Sequence, residues 1–369
     1  MLGDQPPEGY LLLEDGARFD GRLAVPGAGG VGEVVFTTNM TGYQEVLTDP
    51  SYAGQVVVMT APMMGVYGTH GADDQSRRPW AAGFVVRRLS DGGSWRSEAP
   101  LRAYLREHEM PTLVGADTRA VTRHIRDAGA MLGVVAPADV DPGEARRLLD
   151  EEPAMEGRDL ATRVTVDAPR EVEPEGAVRG TVLCLDYGVK RRSLELLSRA
   201  GYRVRVLPAS TPPEEVAGAD ASGLFVSNGP GDPDAVPGAV ERIRAAVEAD
   251  LPVFGICLGH QLVARTFGGE SFKLRYGHRG GNHPVRNLDT GGIEITSQNH
   301  GFAVVGGEDG VEGAPDLRVT HLNVNDGTVE GLAHRQLPVF AVQYHPESAP
   351  GPHDSRYLFE QFVTAMAAR

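Results

Sequence analysis

The sequence predicts an α/β protein in two parts: a sheet-rich N-terminal domain of mixed strands and helices, then a doubly wound parallel sheet. Three observations carry this. The first half strings short β-branched runs between turn residues. The second half alternates apolar strands with amphipathic helices. Between them, DAPREVEPEGAVRG at residues 167–180 holds proline, glutamate and glycine with no hydrophobic period. The boundaries that follow are 1–170, a linker at 171–180, and 181–369.

In the first part, LLLEDGARFDGRL places an Asp15-Gly16 turn between two apolar stretches, a hairpin signal. VGEVVFTT, QVVVMTAP and AAGFVVRR read as further strands. Residues 97–109 form a helix with Leu101, Tyr104, Leu105 and His108 on one face. Residues 117–127 form another, with Ala120, Val121, His124 and Ile125 on one face and Asp117 or Thr118 as its cap. MLGVVAP is a strand. In the second part, TVLCLDYG is a strand and VKRRSLELLSRAG a helix that ends at Gly201. YRVRVLP, GLFVSNGPGDP, VPGAVERIRAAVEAD, PVFGI and LGHQLVARTFGG continue the alternation. Beyond residue 285 strands return, with a hairpin at Asn325-Asp326-Gly327. A last helix begins near Asp354 and buries Leu358, Phe359, Phe362 and Met366.

The 369 residues are 41% hydrophobic and 23% charged, enough apolar content for two cores. No apolar run has the length of a membrane span, and MLGDQPPEGY lacks the basic start and apolar core of an export signal. Two cysteines cannot build a disulfide framework, so the expectation is a cytoplasmic protein with reduced thiols. A net charge of −15 argues against nucleic acid as a partner. No G-x-x-x-x-G-K-[ST] and no dinucleotide fingerprint occur, so no ATP site is expected on this chain.

The chemistry points to Gly255-Ile256-Cys257-Leu258-Gly259. A strand that turns at once into a helix forces the turn residue into a strained conformation, and small neighbours let the two elements close up. Cys257 then faces a cleft, with a helix N-terminus behind it that favours thiolate, and the Leu258 N–H placed toward an oxyanion. The competing reading is a buried inert thiol, which fits Cys184 within TVLCLDY; core packing alone does not call for glycine on both sides of Cys257. AVQYHPES supplies a base and its orienter in His345 and Glu347, with Pro346 stiffening the turn between them. SNGPGDP, with Gly229 and Gly231, is either a tight turn or a set of backbone N–H groups that completes an oxyanion hole.

Together SNGPGDP, GICLGHQ and YHPE resemble the class I, triad-type glutamine amidotransferases, whose second domain is flavodoxin-like and doubly wound. KLRYGHRGGNHPV, ITSQNHGFAV, LDYGVKRRSLELL and HPESAPGPHDS extend the likeness. TNMTGYQEVLTDPSYAGQ and GADTRAVTRHIRDAGAMLGVV carry it into the first half. The pattern across almost the whole chain is similar to the small subunit of glutamine-hydrolysing carbamoyl-phosphate synthase; MTAPMMGVYGTH departs from it.

The resemblance implies glutamine hydrolysis through a cysteinyl thioester, with Cys257 as nucleophile and His345 and Glu347 completing the triad. It places L-glutamine contacts on Ser51, Gly229, Gly231, Leu258, Gln261, Asn299, Gly301 and Phe302. It implies a separate large subunit that carries ATP and Mg, receives ammonia through a tunnel and makes carbamoyl phosphate from bicarbonate, in arginine and pyrimidine biosynthesis. The chain itself holds no cofactor, and its N-terminal domain is the expected docking surface. Ser51 read alone is an ordinary turn residue. His278, His283 and His300 fit no zinc spacing, so no metal is expected. Another amidotransferase subunit, a cysteine peptidase or thioesterase, and a non-catalytic binding subunit are the alternatives.

Overall fold

The computed structural model describes residues 8–27 and 29–369. The N-terminal stretch whose composition argues against an export signal lies, through residue 7, outside them. The chain divides into two units. One runs to Met155 and takes in Arg275–Arg279; the other comprises Glu156–Leu274 and Gly280–Arg369. Among the described residues no helix is long and apolar enough to cross a membrane.

In the first unit seven strands close into a barrel in the order Glu8–Leu13, Arg18–Leu23, Thr112–Val114, Gly83–Val86, Gln55–Met59, Gly30–Thr37 and Met131–Pro137. The Asp15-Gly16 hairpin is present, with Leu11 opposite Phe19. Pairings among Gly30–Thr37, Gln55–Met59, Gly83–Val86 and Thr112–Val114 are parallel; the others are antiparallel. Both faces of the central strands are covered, which explains why QVVVM is continuously apolar. Val34, Val56, Val58 and Val85 pack with Val121 and Ile125. Val35, Val57, Phe84 and Val86 pack with Val46, Leu47, Leu101 and Leu105.

The helix expected at 97–109 is Leu101–Glu107, because Glu98 and Ala99 are drawn into backbone pairing with Thr69 and Pro100 stands at the cap. His108 is exposed rather than on the buried face. The next helix, Thr118–Ala128, is capped by the Asp117 carboxylate, which accepts from Ala120 N at 3.0 Å.

The second unit is a ten-stranded sheet. Its parallel centre has the order Tyr202–Pro208, Gly180–Asp186, Gly223–Val226, Val253–Ile256, Val339–Val342. The first strand in sequence thus lies between the second and third, the flavodoxin-like doubly wound order. Antiparallel strands Val329–His334 and Leu317–Asn323 extend one side, followed by Ser271–Asn287 and, at the edge, Ile293–Val304. Alternate side chains feed two cores. Leu183, Leu185, Leu224, Val226 and Val253 meet Ile243 and Leu262. Val182, Cys184, Phe225, Phe254 and Ile256 meet Leu194, Leu197, Leu358, Phe359 and Phe362. Burial in that second core pushes the Cys184 thiol well above its ordinary pKa.

Two placements differ from the boundaries read off the sequence. Arg170–Val172 is no linker strand; it pairs antiparallel with Tyr202–Pro208 as the outer strand of the second sheet. Arg275–Arg279 belongs to the first unit because Arg275 O accepts from Ala130 N at 2.7 Å, Arg279 O accepts from Thr38 N at 3.2 Å, and Tyr276 stacks on Phe36.

The elbow depends on the two glycines. A Cβ on Gly259 would lie 2.2 Å from Val226 O, and one on Gly255 2.7 Å from Gly259 O. Both obstacles are backbone and cannot rotate away. Gly259→Ala is therefore expected to lower unfolding stability by about 2 kcal/mol or more in urea titrations. A variant as stable as the parent chain would show that helix Leu258–Thr266 can shift without cost.

Candidate active site

The parallel strands end in a row of loops, and Cys257, His345, Glu347, Gly229 and Gly231 stand on them. Val253–Ile256 runs into Cys257, which caps helix Leu258–Thr266 with φ 55° and ψ −104°. This is the left-handed region that costs a non-glycine residue strain. Cys257 N donates to Val342 O at 2.9 Å, holding the turn to the neighbouring strand. The Sγ lies 3.6 Å from Asn299 O and the residue is 2% exposed. Gly259 N donates to Ser227 O, tying the helix start to the SNGPGDP loop. The Leu258 N–H is the first of the helix and has no acceptor along it.

Val339–Val342 leads to His345, whose N–H donates to Ser297 O at 2.8 Å. His345 Nδ1 meets Glu347 Oε1 at 2.7 Å. With Nδ1 occupied, Nε2, buried and otherwise unpartnered, is the nitrogen left for the Cys257 thiol. One further residue completes the row. Lys190 Nζ lies 2.8 Å from Glu347 Oε1, with side-chain exposures of 2% and 0%. Nothing in the sequence reading singled out Lys190.

Its position has a local cause. The Asp186 carboxylate accepts from Gly188 N and Val189 N through one oxygen and from Val166 N through the other. That fixes the turn from strand Gly180–Asp186 into helix Arg191–Arg199, whose cap is Lys190.

The charges balance within this row. Burial is the largest single influence on His345 and works against its protonation. The Glu347 carboxylate, which also accepts a hydrogen bond from the ring, and the nearby Cys257 together outweigh burial and the Lys190 ammonium, and the imidazole is raised to about 10. Burial acts to raise Glu347, yet Lys190 and His345 together hold it far below the usual carboxylate range. At neutral pH His345 is thus an imidazolium facing Cys257 Sγ, clamped by an ionised carboxylate.

The other candidate residues fall as follows. Gly229 sits where a Cβ would lie 2.1 Å from Tyr187 O, and Gly231 has φ 91°. Their loop is pinned by Ser227 Oγ, which accepts from Tyr187 N, and by Asn228 Nδ2 donating to Gly188 O. Gln261 Nε2 donates to Phe302 O at 2.9 Å and Gln343 Oε1 at 3.0 Å. Asn299, Gly301 and Phe302 lie on strand Ile293–Val304, so Cys257, Gln261, Asn299 and Phe302 are joined by direct bonds. The His300 ring bonds Phe302 O and Gln298 Oε1 with its two nitrogens. Ser51 is in the first unit, buried on the short turn Pro50–Tyr52, where its N–H donates to Asp49 Oδ1.

Residues 183–365 match the family described as glutamine amidotransferase class-I, and residues 11–135 match carbamoyl-phosphate synthase small chain, CPSase domain. Three relatives, each named carbamoyl phosphate synthase small chain, are similar over nearly their full length. The Synechococcus sp. protein is 46% identical, covering 97% of this chain and 93% of its own. That of Syntrophotalea carbinolica is 46% identical over 96% and 97%. That of Symbiobacterium thermophilum is 48% identical over 95% and 96%.

The His345 charge can be read directly. In histidine-labelled protein followed by NMR, the imidazole is expected to stay protonated through pH 8–9. In Glu347→Gln burial and Lys190 both lower it and only the smaller contribution of Cys257 raises it, so the titration falls to or below the ordinary histidine value of about 6.5. A parent chain that titrates near the ordinary value would contradict the charge assignment.

Proposed function

The chain belongs to the carbamoyl-phosphate synthase small-chain family, and we propose that it is the glutaminase subunit of that synthase, hydrolysing L-glutamine to glutamate and ammonia with Cys257, His345 and Glu347. The observation that carries the reading is that one chain joins a glutamine amidotransferase class-I half to a carbamoyl-phosphate synthase small-chain half: the first-half match distinguishes it from amidotransferases that share only the second domain. The product serves arginine and pyrimidine biosynthesis.

The chemistry follows from the charges. With its proton held on His345 Nε2, Cys257 Sγ adds as thiolate to the side-chain carboxamide carbon of glutamine. Negative charge gathers on the carboxamide oxygen, where the Leu258 N–H and the backbone of the Gly229–Gly231 loop are the donors. His345 Nε2–H protonates the amide nitrogen, the C–N bond breaks, and ammonia leaves a γ-glutamyl thioester. Water then attacks the same carbon and gives its proton to His345. The C–S bond breaks, glutamate leaves, and the thiolate–imidazolium pair returns. Glu347 holds the ring by Nδ1 throughout, and Lys190 keeps Glu347 ionised.

Glutamine is held by Gly229, Gly231, Leu258, Gln261, Asn299, Gly301 and Phe302 in this reading. The bond network of Gln261, Phe302 and Asn299 supports a pre-formed wall beside Cys257. The first unit docks the large subunit, which carries ATP and Mg and takes up the ammonia.

The test is intact-mass analysis after treatment with 6-diazo-5-oxo-norleucine, with and without excess glutamine, beside Cys257→Ala. One adduct, blocked by glutamine and absent in the variant, is expected. Hydrolysis of ester or peptide substrates with no adduct in the presence of the large subunit would favour a peptidase or thioesterase.

Lys190→Met separates the ammonium from the triad itself. Removing one partner of a buried pair is expected to cost roughly 3 kcal/mol of stability. Because Lys190 lowers His345, its loss should also move the alkaline limb of kcat/KM for glutamine upward, opposite to Glu347→Gln. Coincident limbs in all three proteins would exclude Lys190 from the reaction.

A further inference from the structure

We propose that an arginine cluster on the second unit, centred on Arg356 and Arg192, receives an acidic segment of the synthase subunit; this rests on the glutaminase-subunit reading above. Arg356 caps helix Tyr357–Ala367, so its cation sits at the positive end of the helix. Its Nε is buried without an acceptor. Burial, and then Arg192 and Arg199, all disfavour its charge. His353 is pushed down by burial and by the same Arg356 and Arg192, with Asp354 opposing.

The local carboxylates are committed elsewhere. Glu195 is shared between Arg191 and Arg192, and Glu175 pairs with Arg199. Asp354 Oδ2 accepts from Ile295 N at 3.0 Å. Arg356 forms no ion pair among the described residues. Glu195 and Glu175 balance Arg192 and Arg199, so Arg356 is the cation of the group that no acid of this acidic chain neutralises.

That last contact also identifies the occupant. Ile295 lies on the edge strand Ile293–Val304, where Ile293 is 54% exposed and Ile295 39%. A free oxyanion would satisfy the guanidinium but leave both isoleucines in water. A polypeptide bearing Asp or Glu beside apolar side chains covers both, and arginine flanked by apolar surface is the composition of interface centres. A second copy of this acidic chain is the less complementary partner.

The experiment uses the full-length chain and the separately purified synthase subunit. Affinity is measured calorimetrically at several salt concentrations for the parent chain, Arg192→Glu/Arg356→Glu, and Arg244→Glu, on helix Ala239–Glu248, as an exposed control. The double variant should bind at least tenfold more weakly and with a flatter salt dependence; the control should match the parent. In parallel, a photo-crosslinking amino acid at Ile293 in an otherwise native chain should capture the synthase subunit, a readout that does not depend on the charge-reversed protein folding. Equal affinity of double variant and parent overturns the proposal, as does crosslinking only to a second copy. A parent chain that fails to bind the synthase subunit instead overturns the glutaminase-subunit reading on which the surface rests.

Discussion

The buried row Lys190–Glu347–His345 is the constraint on which the rest of the site depends. Taking an ammonium and a carboxylate out of water costs several kcal/mol per ion unless each is met at close range. Here Glu347 Oε1 is shared by Lys190 at 2.8 Å and His345 at 2.7 Å. One carboxylate facing two cations leaves a positive excess in a region closed to solvent. A Cys257 thiolate balances it: with the thiol proton on His345, the four groups Lys190, Glu347, His345 and Cys257 sum to zero. Reactivity and charge balance are therefore one problem with one solution.

Backbone holds these four side chains in place more than packing does. The Asp186 carboxylate ties down the turn that delivers Lys190. Cys257 N and His345 N are each fixed to a neighbouring strand, at Val342 O and Ser297 O. The strained φ of Cys257 persists because helix Leu258–Thr266 lies too close to strand Gly223–Val226 for any side chain at Gly259. Strain at a functional residue survives where its surroundings over-determine it.

How much of this could be read beforehand followed the range of the interaction. The elbow was legible because its cause is local: glycines at 255 and 259 flank the strained residue. His345 and Glu347 were legible from their two-residue spacing at a strand end. The parallel sheet of the second unit was legible because strand and helix alternate. Lys190 was not, because a lysine at a helix start ordinarily points into water, and only the long-range approach of Glu347 makes it a buried counter-ion. Closure of the first barrel was hidden for the same reason: the pairing of Arg18–Leu23 with Thr112–Val114 has no mark in either strand. Arg275–Arg279 could not be assigned to the first unit from a sequence that places it deep in the second half. Helix Pro142–Glu151 did carry a signal, with Asp141 as cap and Pro142 at its first position, and was overlooked.

The same two segments carry the buried row and the exposed cations. Helix Arg191–Arg199 begins one residue after Lys190 and holds Arg192 on its first turn. The segment that leaves Glu347 passes through Pro350, whose carbonyl accepts from Ser297 Oγ, and reaches His353 and Arg356. Ser297 in turn receives His345 N on its own carbonyl. Arg192 and Arg356 therefore stand on the two segments that supply the ends of the Lys190–Glu347 contact. Shared-oxygen geometry is sensitive to small displacements, because one Glu347 atom serves two cations and cannot follow both. The exposed cations and the buried row are therefore set by the same two stretches of backbone.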